Sequence, residues 1–260
     1  MAENTVAFTF ADGVARVTLA RPDVRNAFNA NVIAELHALF ERIAAADDVR
    51  VVVLAGEGKV FCGGADVGWM RESLDLSFEA NAIDAERMSD MFRAIDNCPR
   101  PVIARIQGAA LGGGAGLAAA CDIAIAADDA VFGFTEVKLG ILPAVISPFV
   151  LAKIGASHAR ALFLTGERFD AARAMRIGLV HEVVPADTLD AAVDRCIGEI
   201  GNAGPYAVSA AKLLIRRVLD ATYQERRAIT TRAIADQRIS PEGQEGLRAF
   251  LERRKASFHQ

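Results

Sequence analysis

The chain has 260 residues, of which 52% are hydrophobic and 24% are charged, and this composition excludes an intrinsically disordered protein. Its 29 basic and 33 acidic residues give a net charge of -4, which favours neither a nucleic-acid-binding nor a membrane-surface protein. The first residues lack a basic start followed by an apolar run, so no signal peptide is predicted. Four scattered cysteines without a CxxC pair are typical of reduced thiols in a cytoplasmic protein.

The first part of the chain predicts a hairpin, a helix and a buried strand, in that order. Two β-rich runs flank a short loop at 11–13 that contains Asp-Gly, a pattern typical of a β-hairpin. From Asn29, apolar residues recur at helical spacing as far as Ile43. The continuous apolar run 49–54 is bounded by acidic residues and a glycine, which indicates a strand buried on both faces.

The middle of the chain alternates helix, strand and glycine-rich segments. A helix is predicted over 77–95 and a strand over 102–106. The segment 108–127 carries a single charge, Asp122, and its 20 residues are long enough for a membrane span. Five glycines, the internal aspartate and the lack of a second such segment favour a buried core instead. The recurring strand, glycine turn and helix predict the α/β class, and no GxGxxG or GxxxxGK[ST] motif indicates a nucleotide site.

The composition changes near residue 200. A loop-like stretch of small residues at 201–205 ends in a proline that suits the first turn of a helix. Mostly helical pattern with paired arginines follows, in 207–219, 224–237 and 242–255. We therefore expect a core over 1–200 and a helical region over 201–260 that mediates oligomerisation.

Two glycine-rich segments, each after a predicted strand, are the first candidates for chemistry. Gly63 and Gly64 precede Asp66, which is placed to cap a helix, and the glycines at 112–114 precede an alanine-rich helix. A helix N-terminus offers unpaired N–H donors and the positive end of the helix dipole. If the two loops converge, they form an oxyanion hole for a thioester or ester oxygen. The alternative, that the glycines only permit tight turns and close packing, is equally open at this point.

Glu136 is the candidate acid. It follows a short apolar strand that includes Phe132 and Phe134, where a simple core strand would end in a turn residue. Burial among these apolar residues would raise its pKa, as a proton-transferring group requires. The alternatives are a solvated strand end or a salt bridge to Lys138, and for an isolated glutamate they are the more frequent outcome.

Four segments, in this order, resemble the enoyl-CoA hydratase/isomerase (crotonase) superfamily: KVFCGGADVGWM, IQGAALGGGAGLAAACDIAIA, FGFTEVKLGILP and SPEGQEGLRAFLERRKASF. The resemblance implies a spiral of ββα repeats, a helical C-terminal trimerisation region and a site for an acyl-CoA thioester. The assembly it implies is a homotrimer or a dimer of trimers. It implies no metal and no tightly bound cofactor, because CoA arrives with the substrate.

The same resemblance assigns roles to particular residues. The backbone N–H groups of Ala65 and Gly113 would hold the thioester oxygen, and Glu136 would match the second of two hydratase glutamates. The other substrate-binding positions that it implies are Val24, Arg25, Ala27, Asp66, Val67, Gly112 and Thr135.

One position departs from the family pattern. Gly116 stands where two-glutamate hydratases carry the first glutamate, and glycine can neither hold nor deprotonate water. The favoured alternative is hydration with Glu136 alone, because 138–150 resembles a bacterial branch that hydrates branched glutaconyl-CoA thioesters such as 3-methylglutaconyl-CoA, as in leucine breakdown. The second is a Δ3,Δ2-enoyl-CoA isomerase, which needs one carboxylate. The third is a non-catalytic acyl-CoA-binding protein.

Overall fold

The computed structural model describes residues 5–258, and within that range the chain is a mixed α/β protein, as predicted. The strands are β1 Val6–Ala11, β2 Val14–Leu19, β3 Val51–Gly56, β4 Val102–Ile106, β5 Ala109–Leu111, β6 Ile123–Ala127, β7 Val131–Gly133, β8 Arg168–Asp170 and β9 Glu182–Val184. The α-helices are α1 Ala30–Ala44, α2 Val67–Glu72, α3 Phe78–Asn97, α4 Gly113–Ala120, α5 Ser147–Thr165, α6 Ala171–Arg176, α7 Leu189–Gly201, α8 Pro205–Asp220, α9 Tyr223–Ile239 and α10 Pro241–Leu251.

Two sheets organise the chain. The larger has the strand order β1-β2-β3-β4-β6-β9, with β1 and β2 antiparallel and the other pairs parallel. The smaller has the order β5-β7-β8. In β3, Val52 and Leu54 pack in one hydrophobic cluster while Val51 and Val53 pack in another. The strand is therefore buried on both faces, which explains its unbroken apolar sequence.

Side-chain caps place the first helices where the sequence predicts them. The Asn29 side chain accepts a hydrogen bond of 3.0 Å from the Val32 N–H at the start of α1. The Asp66 carboxylate accepts one of 2.7 Å from Gly68 and begins α2, and Ser77 caps α3. These caps satisfy backbone donors that the first helical turn leaves unpaired.

The apolar segment 108–127 folds as β5, α4 and β6 rather than as one long helix. The eight residues of α4 are all buried. No helix in the described range is both long and apolar enough to span a membrane.

The C-terminal helices are tied to the core by charged side chains. The Lys212 Nζ of α8 lies 2.6 Å from the Asp122 carboxylate, and Arg50 donates to the Ala203 carbonyl at 2.8 Å. The helix expected over 242–255 is too long, because α10 ends at Leu251. Arg253 has a φ of 56°, and this left-handed conformation cannot continue a right-handed helix.

Candidate active site

The two glycine-rich loops lie side by side. The Cys62 N–H donates to the Ala109 carbonyl and the Leu111 N–H donates to the Cys62 carbonyl, each at 3.0 Å. Gly64 has a φ of 99°, and a Cβ there would stand 2.9 Å from the Leu111 carbonyl oxygen. Only glycine meets both conditions without strain, so this residue allows the loops to converge.

Convergence brings two backbone N–H groups to one place. Gly113 is the first residue of α4, so its N–H has no acceptor within the helix and lies at the positive end of the dipole. Ala65 pairs with Phe28 in an isolated bridge, in which Phe28 donates to Gly64 and Asp66 donates to Phe28. In the described range, neither the Ala65 nor the Gly113 N–H has a protein acceptor. Both are free to bind an oxygen atom that carries negative charge.

Both residues line a cavity of about 410 Å³ that Glu136 also lines. Of the residues that the structure describes, only Asp84 and Glu136 contribute charged side chains to its lining. The larger apolar residues around it are Phe28, Trp69, Met70, Met88, Leu139, Ile141, Leu142, Pro143, Val145 and Ile146. An apolar chain fits beside a carboxyl group in such surroundings.

The sequence predicts Glu136 at the end of a strand. In the structure it is instead the first residue of a 3-10 helix, Glu136–Leu139. The backbone leaves the extended region at Thr135, where φ is -91° and ψ is 4°, two residues after β7 ends. One carboxylate oxygen lies 3.2 Å from the point where a Gly112 Cβ would stand. The other, Oε2, is buried with no hydrogen-bond partner, and no described ion pair joins Glu136 to Lys138. Burial raises the pKa of Glu136 above its ordinary value.

The comparisons with known proteins agree on a family. Residues 9–260 match the family model described as enoyl-CoA hydratase/isomerase. The chain belongs to the enoyl-CoA hydratase/isomerase family. The resemblance that four sequence motifs indicate is thereby confirmed at the level of the family.

Solved structures and a curated relative support this membership. An enoyl-CoA hydratase from Shewanella pealeana is 38% identical, with 97% of this chain and 95% of that chain covered and a TM-score of 0.93. The AtuE protein of Pseudomonas aeruginosa is 36% identical, with coverage of 98% and 100% and a TM-score of 0.95. An enoyl-CoA hydratase of Alternaria alternata is 35% identical over 79% of this chain and 67% of that relative. The fold is crotonase-like, and the protein is an enzyme of the enoyl-CoA hydratase/isomerase family.

Five of the site residues that the sequence singles out line the cavity of this family member: Ala65, Gly112, Gly113, Thr135 and Glu136.

The other five surround the loop that carries Ala65 and do not line the cavity. The Arg25 carbonyl accepts from the Gly63 N–H at 2.8 Å, and Val24 and Ala27 adjoin that contact in sequence. Asp66 forms an ion pair with Arg21 at 2.9 Å and caps α2, whose first residue, Val67, is exposed.

Apolar side chains fill the space beside Gly116, where the resemblance places the first of two hydratase glutamates. A Cβ on Gly116 would stand 2.9 Å from the Ile146 Cβ and 3.2 Å from the Phe92 Cζ. Real Cβ atoms do not tolerate the first distance, so the neighbouring residues must move to admit any side chain. The loss of the glutamate is therefore matched by the packing around it.

A glutamate introduced at position 116 as the only substitution is not expected to increase hydration. In Gly116→Glu the carboxylate has no space, so we expect no gain in hydration of crotonyl-CoA and a loss of stability of about 1–3 kcal/mol from overpacking. Adding Ile146→Gly removes the side chain that blocks it, so the double variant should show whether space alone prevents hydration, while the loss of a buried isoleucine lowers stability further. Urea denaturation and the absorbance of the enoyl thioester measure the two effects. A single Gly116→Glu variant with wild-type stability would show that the Ile146 contact is not limiting.

The raised pKa of Glu136 also predicts a pH-dependent effect on stability. The pKa of Glu136 in the folded protein lies above the ordinary 4.5. Between these two pKa values the native state binds more protons than the unfolded state, so the free energy of unfolding falls as the pH rises through this range. Glu136→Gln removes this loss. The variant should exceed the wild type in free energy of unfolding near pH 8, and the difference should shrink toward pH 4.5. Urea denaturation across that range checks it, and a pH-independent difference would contradict burial as the cause.

Sequence reasoning missed the contribution of α3 to the cavity. Asn81, Asp84, Ala85 and Met88 of this helix line it. Their spacing of three, four and seven residues puts them on one helical face. The sequence of this helix is polar overall, and Asp84 carries no local signal that separates it from the other acidic residues of α3.

No metal site emerges from the residues described. No group of three or more His, Cys, Asp or Glu side chains within 5–258 is arranged to hold an ion. The four cysteines are free thiols, and burial raises the pKa of Cys62, beside the first loop, to about 12. Cys62 is therefore a neutral packing residue rather than a nucleophile.

Proposed function

We propose that this protein hydrates the 2,3 double bond of an enoyl-CoA thioester, with Glu136 as the group that exchanges a proton with the α-carbon. One observation carries the proposal: a glutamate with one buried carboxylate oxygen that has no hydrogen-bond partner lines the same cavity as two backbone N–H groups without acceptors. That combination serves a reaction in which negative charge develops on an oxygen while a proton moves to or from carbon.

The reaction follows from this arrangement. Water oxygen bonds to the β-carbon and one water proton leaves. The electron pair of the double bond moves toward the thioester oxygen, which the N–H groups of Ala65 and Gly113 stabilise as an enolate oxygen. The protonated Glu136 then gives its proton to the α-carbon, and the proton that the water lost restores it. The product is a 3-hydroxyacyl-CoA, and no redox partner is needed.

The favoured substrate is a branched glutaconyl-CoA thioester such as 3-methylglutaconyl-CoA. Support comes from the segment 138–150, because its part 139–146 forms one wall of the cavity. Among the described residues that line the cavity, the two with ionisable side chains, Asp84 and Glu136, are both acidic. They offer no cation to the terminal carboxylate of that substrate. Turnover of crotonyl-CoA, which lacks this carboxylate, therefore has to be compared directly.

The second candidate is Δ3,Δ2-enoyl-CoA isomerisation. It is favoured by the packing of Ile146 and Phe92 around Gly116, which leaves Glu136 without the family's other glutamate. A single carboxylate suffices for this reaction, since it takes a proton from the α-carbon and returns it to the γ-carbon while the N–H groups hold the dienolate oxygen.

The ultraviolet absorbance of the conjugated enoyl thioester distinguishes these reactions. Purified protein is mixed with crotonyl-CoA, 3-methylglutaconyl-CoA or a 3-enoyl-CoA. Loss of absorbance with either 2-enoyl substrate supports hydration, and a higher kcat/KM for 3-methylglutaconyl-CoA than for crotonyl-CoA supports the substrate assignment. Gain of absorbance with the 3-enoyl-CoA alone would replace hydration by isomerisation. No change with any substrate, with acyl-CoA binding intact, would favour the non-catalytic alternative.

The remaining expectations concern binding and assembly. Val24, Arg25 and Ala27 are proposed to contact the CoA part of the substrate outside the cavity. Asp66 and Val67, expected from the resemblance to line the same pocket as Ala65, follow Ala65 in sequence but do not line the cavity.

The helical region 201–260 is proposed to form a trimer or a dimer of trimers. Large apolar side chains exposed on α8–α10 support this, because a subunit buries such surface by association. They include Leu219, Ile239, Phe250 and Leu251. Light scattering coupled to gel filtration measures the mass.

A further inference from the structure

We infer that Asp84 is the second carboxylate of this active site and that it holds and deprotonates the water that adds to the β-carbon. The inference rests on the proposed hydration. It assigns to α3 the role that a residue on α4, at the position of Gly116, cannot perform.

The packing of α3 against α4 determines how far along the cavity Asp84 lies. Phe92 lies against Gly116, with its Cζ 3.2 Å from the place of a Cβ there. One turn earlier on α3, the Met88 Cε lies 3.5 Å from the corresponding point of Gly113. Positions successively closer to the N-terminus of α3 therefore lie beside positions successively closer to the N-terminus of α4.

Asp84 is one further turn back, about 6 Å along the helix axis from Met88. At that end of α4 stands Gly112, and a Glu136 carboxylate oxygen lies 3.2 Å from the place of a Gly112 Cβ. Asp84 on α3 and Glu136 thus belong to the same end of the cavity, beyond the Gly113 N–H, and both line it. The position of Gly116 lies one turn further along α4, against Phe92 and Ile146.

Local contacts hold this part of α3 in place. Ser77 caps the helix, and the Asn81 side chain donates to the carbonyls of Leu76 and Ser77 at 3.2 Å each. One turn on, the Asp84 carboxylate lies 3.5 Å from the Arg87 guanidinium, while 25% of the Asp84 side chain is exposed. A carboxylate on an anchored helix turn that solvent reaches is suited to hold a water molecule.

The two carboxyl groups then have separate tasks. The Asp84 side chain accepts a hydrogen bond from water and takes its proton as the C–O bond forms at the β-carbon. The electron pair of the double bond moves onto the thioester oxygen at the Ala65 and Gly113 N–H groups. Glu136 in its protonated form, which burial favours, gives its proton to the α-carbon. Proton transfer from Asp84 to Glu136 through water restores both groups, and one water molecule is consumed for each product formed.

Two rates measured on the same preparations test this assignment. The first is hydration of crotonyl-CoA or 3-methylglutaconyl-CoA, whichever the wild type turns over faster, followed by loss of absorbance. The second is exchange of the α-protons of butyryl-CoA for deuterium, followed by NMR, which needs Glu136 but no attacking water. The variants are Asp84→Asn, Asp84→Glu and, as a matched control, Glu86→Gln. Glu86 is an exposed acid on α3 that does not line the cavity.

We expect Asp84→Asn to lower the ratio of hydration to exchange by about 10²–10³-fold, since a positioned general base contributes on this order. Asp84→Glu should regain part of the hydration, and Glu86→Gln should leave both rates near wild type. A ratio in Asp84→Asn within threefold of wild type overturns the assignment while leaving the role of Glu136 intact. A wild type that exchanges α-protons but does not hydrate overturns both the hydration and the role of Asp84.

Discussion

Glu136→Gln is expected to lower turnover of an enoyl-CoA thioester by about 10²–10⁴-fold while acyl-CoA binding is retained. Glutamine has nearly the same shape as glutamate but cannot give or take the proton at the α-carbon. Glu136 is buried and its Oε2 has no hydrogen-bond partner, so the substitution breaks no hydrogen bond of that atom within the described structure. Turnover by absorbance and the dissociation constant of a saturated acyl-CoA by calorimetry separate the two effects.

The matched control for this variant is Glu199→Gln, an exposed glutamate on α7. It makes the same chemical change away from the cavity and should leave both turnover and binding unaltered. If Glu136→Gln kept the turnover of the wild type, Glu136 would have no part in the proton transfer. A loss of binding as large as the loss of turnover would make it a substrate-binding residue instead.

Gly113→Val is expected to lower turnover by about 10²–10³-fold, the effect of losing one donor of an oxyanion hole. A Cβ at this position would stand 2.8 Å from the Phe28 Cδ2. Phe28 is fully buried and pairs with the Ala65 loop, so it has little freedom to retreat. The start of α4 must shift, and the Gly113 N–H moves away from the thioester oxygen.

Gly198→Val is the control for this second variant, because a Cβ on Gly198 meets nothing within 4 Å and its φ is not positive. It introduces the same side chain into a helix without disturbing the cavity. Near-ultraviolet circular dichroism checks that Gly113→Val is folded, and kcat with crotonyl-CoA measures the effect of the oxyanion hole on turnover. A folded Gly113→Val with wild-type kcat would place the oxyanion donor at another residue.

Features that depend on local chemistry could be predicted from the sequence. Asn29 and Asp66 begin helices because each side chain can accept from its own first turn. The apolar run of β3 reflects burial on both faces. The glycine loops could be singled out because each follows a strand, and the structure shows at Gly64 and Gly113 why glycine is required.

Features that depend on packing between distant segments could not be predicted from the sequence. Ile146 precedes α5 and fills the space beside Gly116, 30 positions earlier, which no local pattern indicates. The side of α3 that carries Asp84 faces the cavity because of its register with α4. The turn that places Glu136 past β7 depends on the backbone at Thr135, so the sequence indicated the residue but not its position.

Exchange of the α-protons of butyryl-CoA for deuterium, compared between the wild type and Glu136→Gln, tests the central claim most directly. The substrate has no double bond, so the measurement does not depend on whether the enzyme hydrates or isomerises. If Glu136 is the group that moves a proton at the α-carbon, the wild type exchanges these protons and the variant does not. Equal exchange by the two proteins would assign that proton transfer to another group and contradict the role given to Glu136.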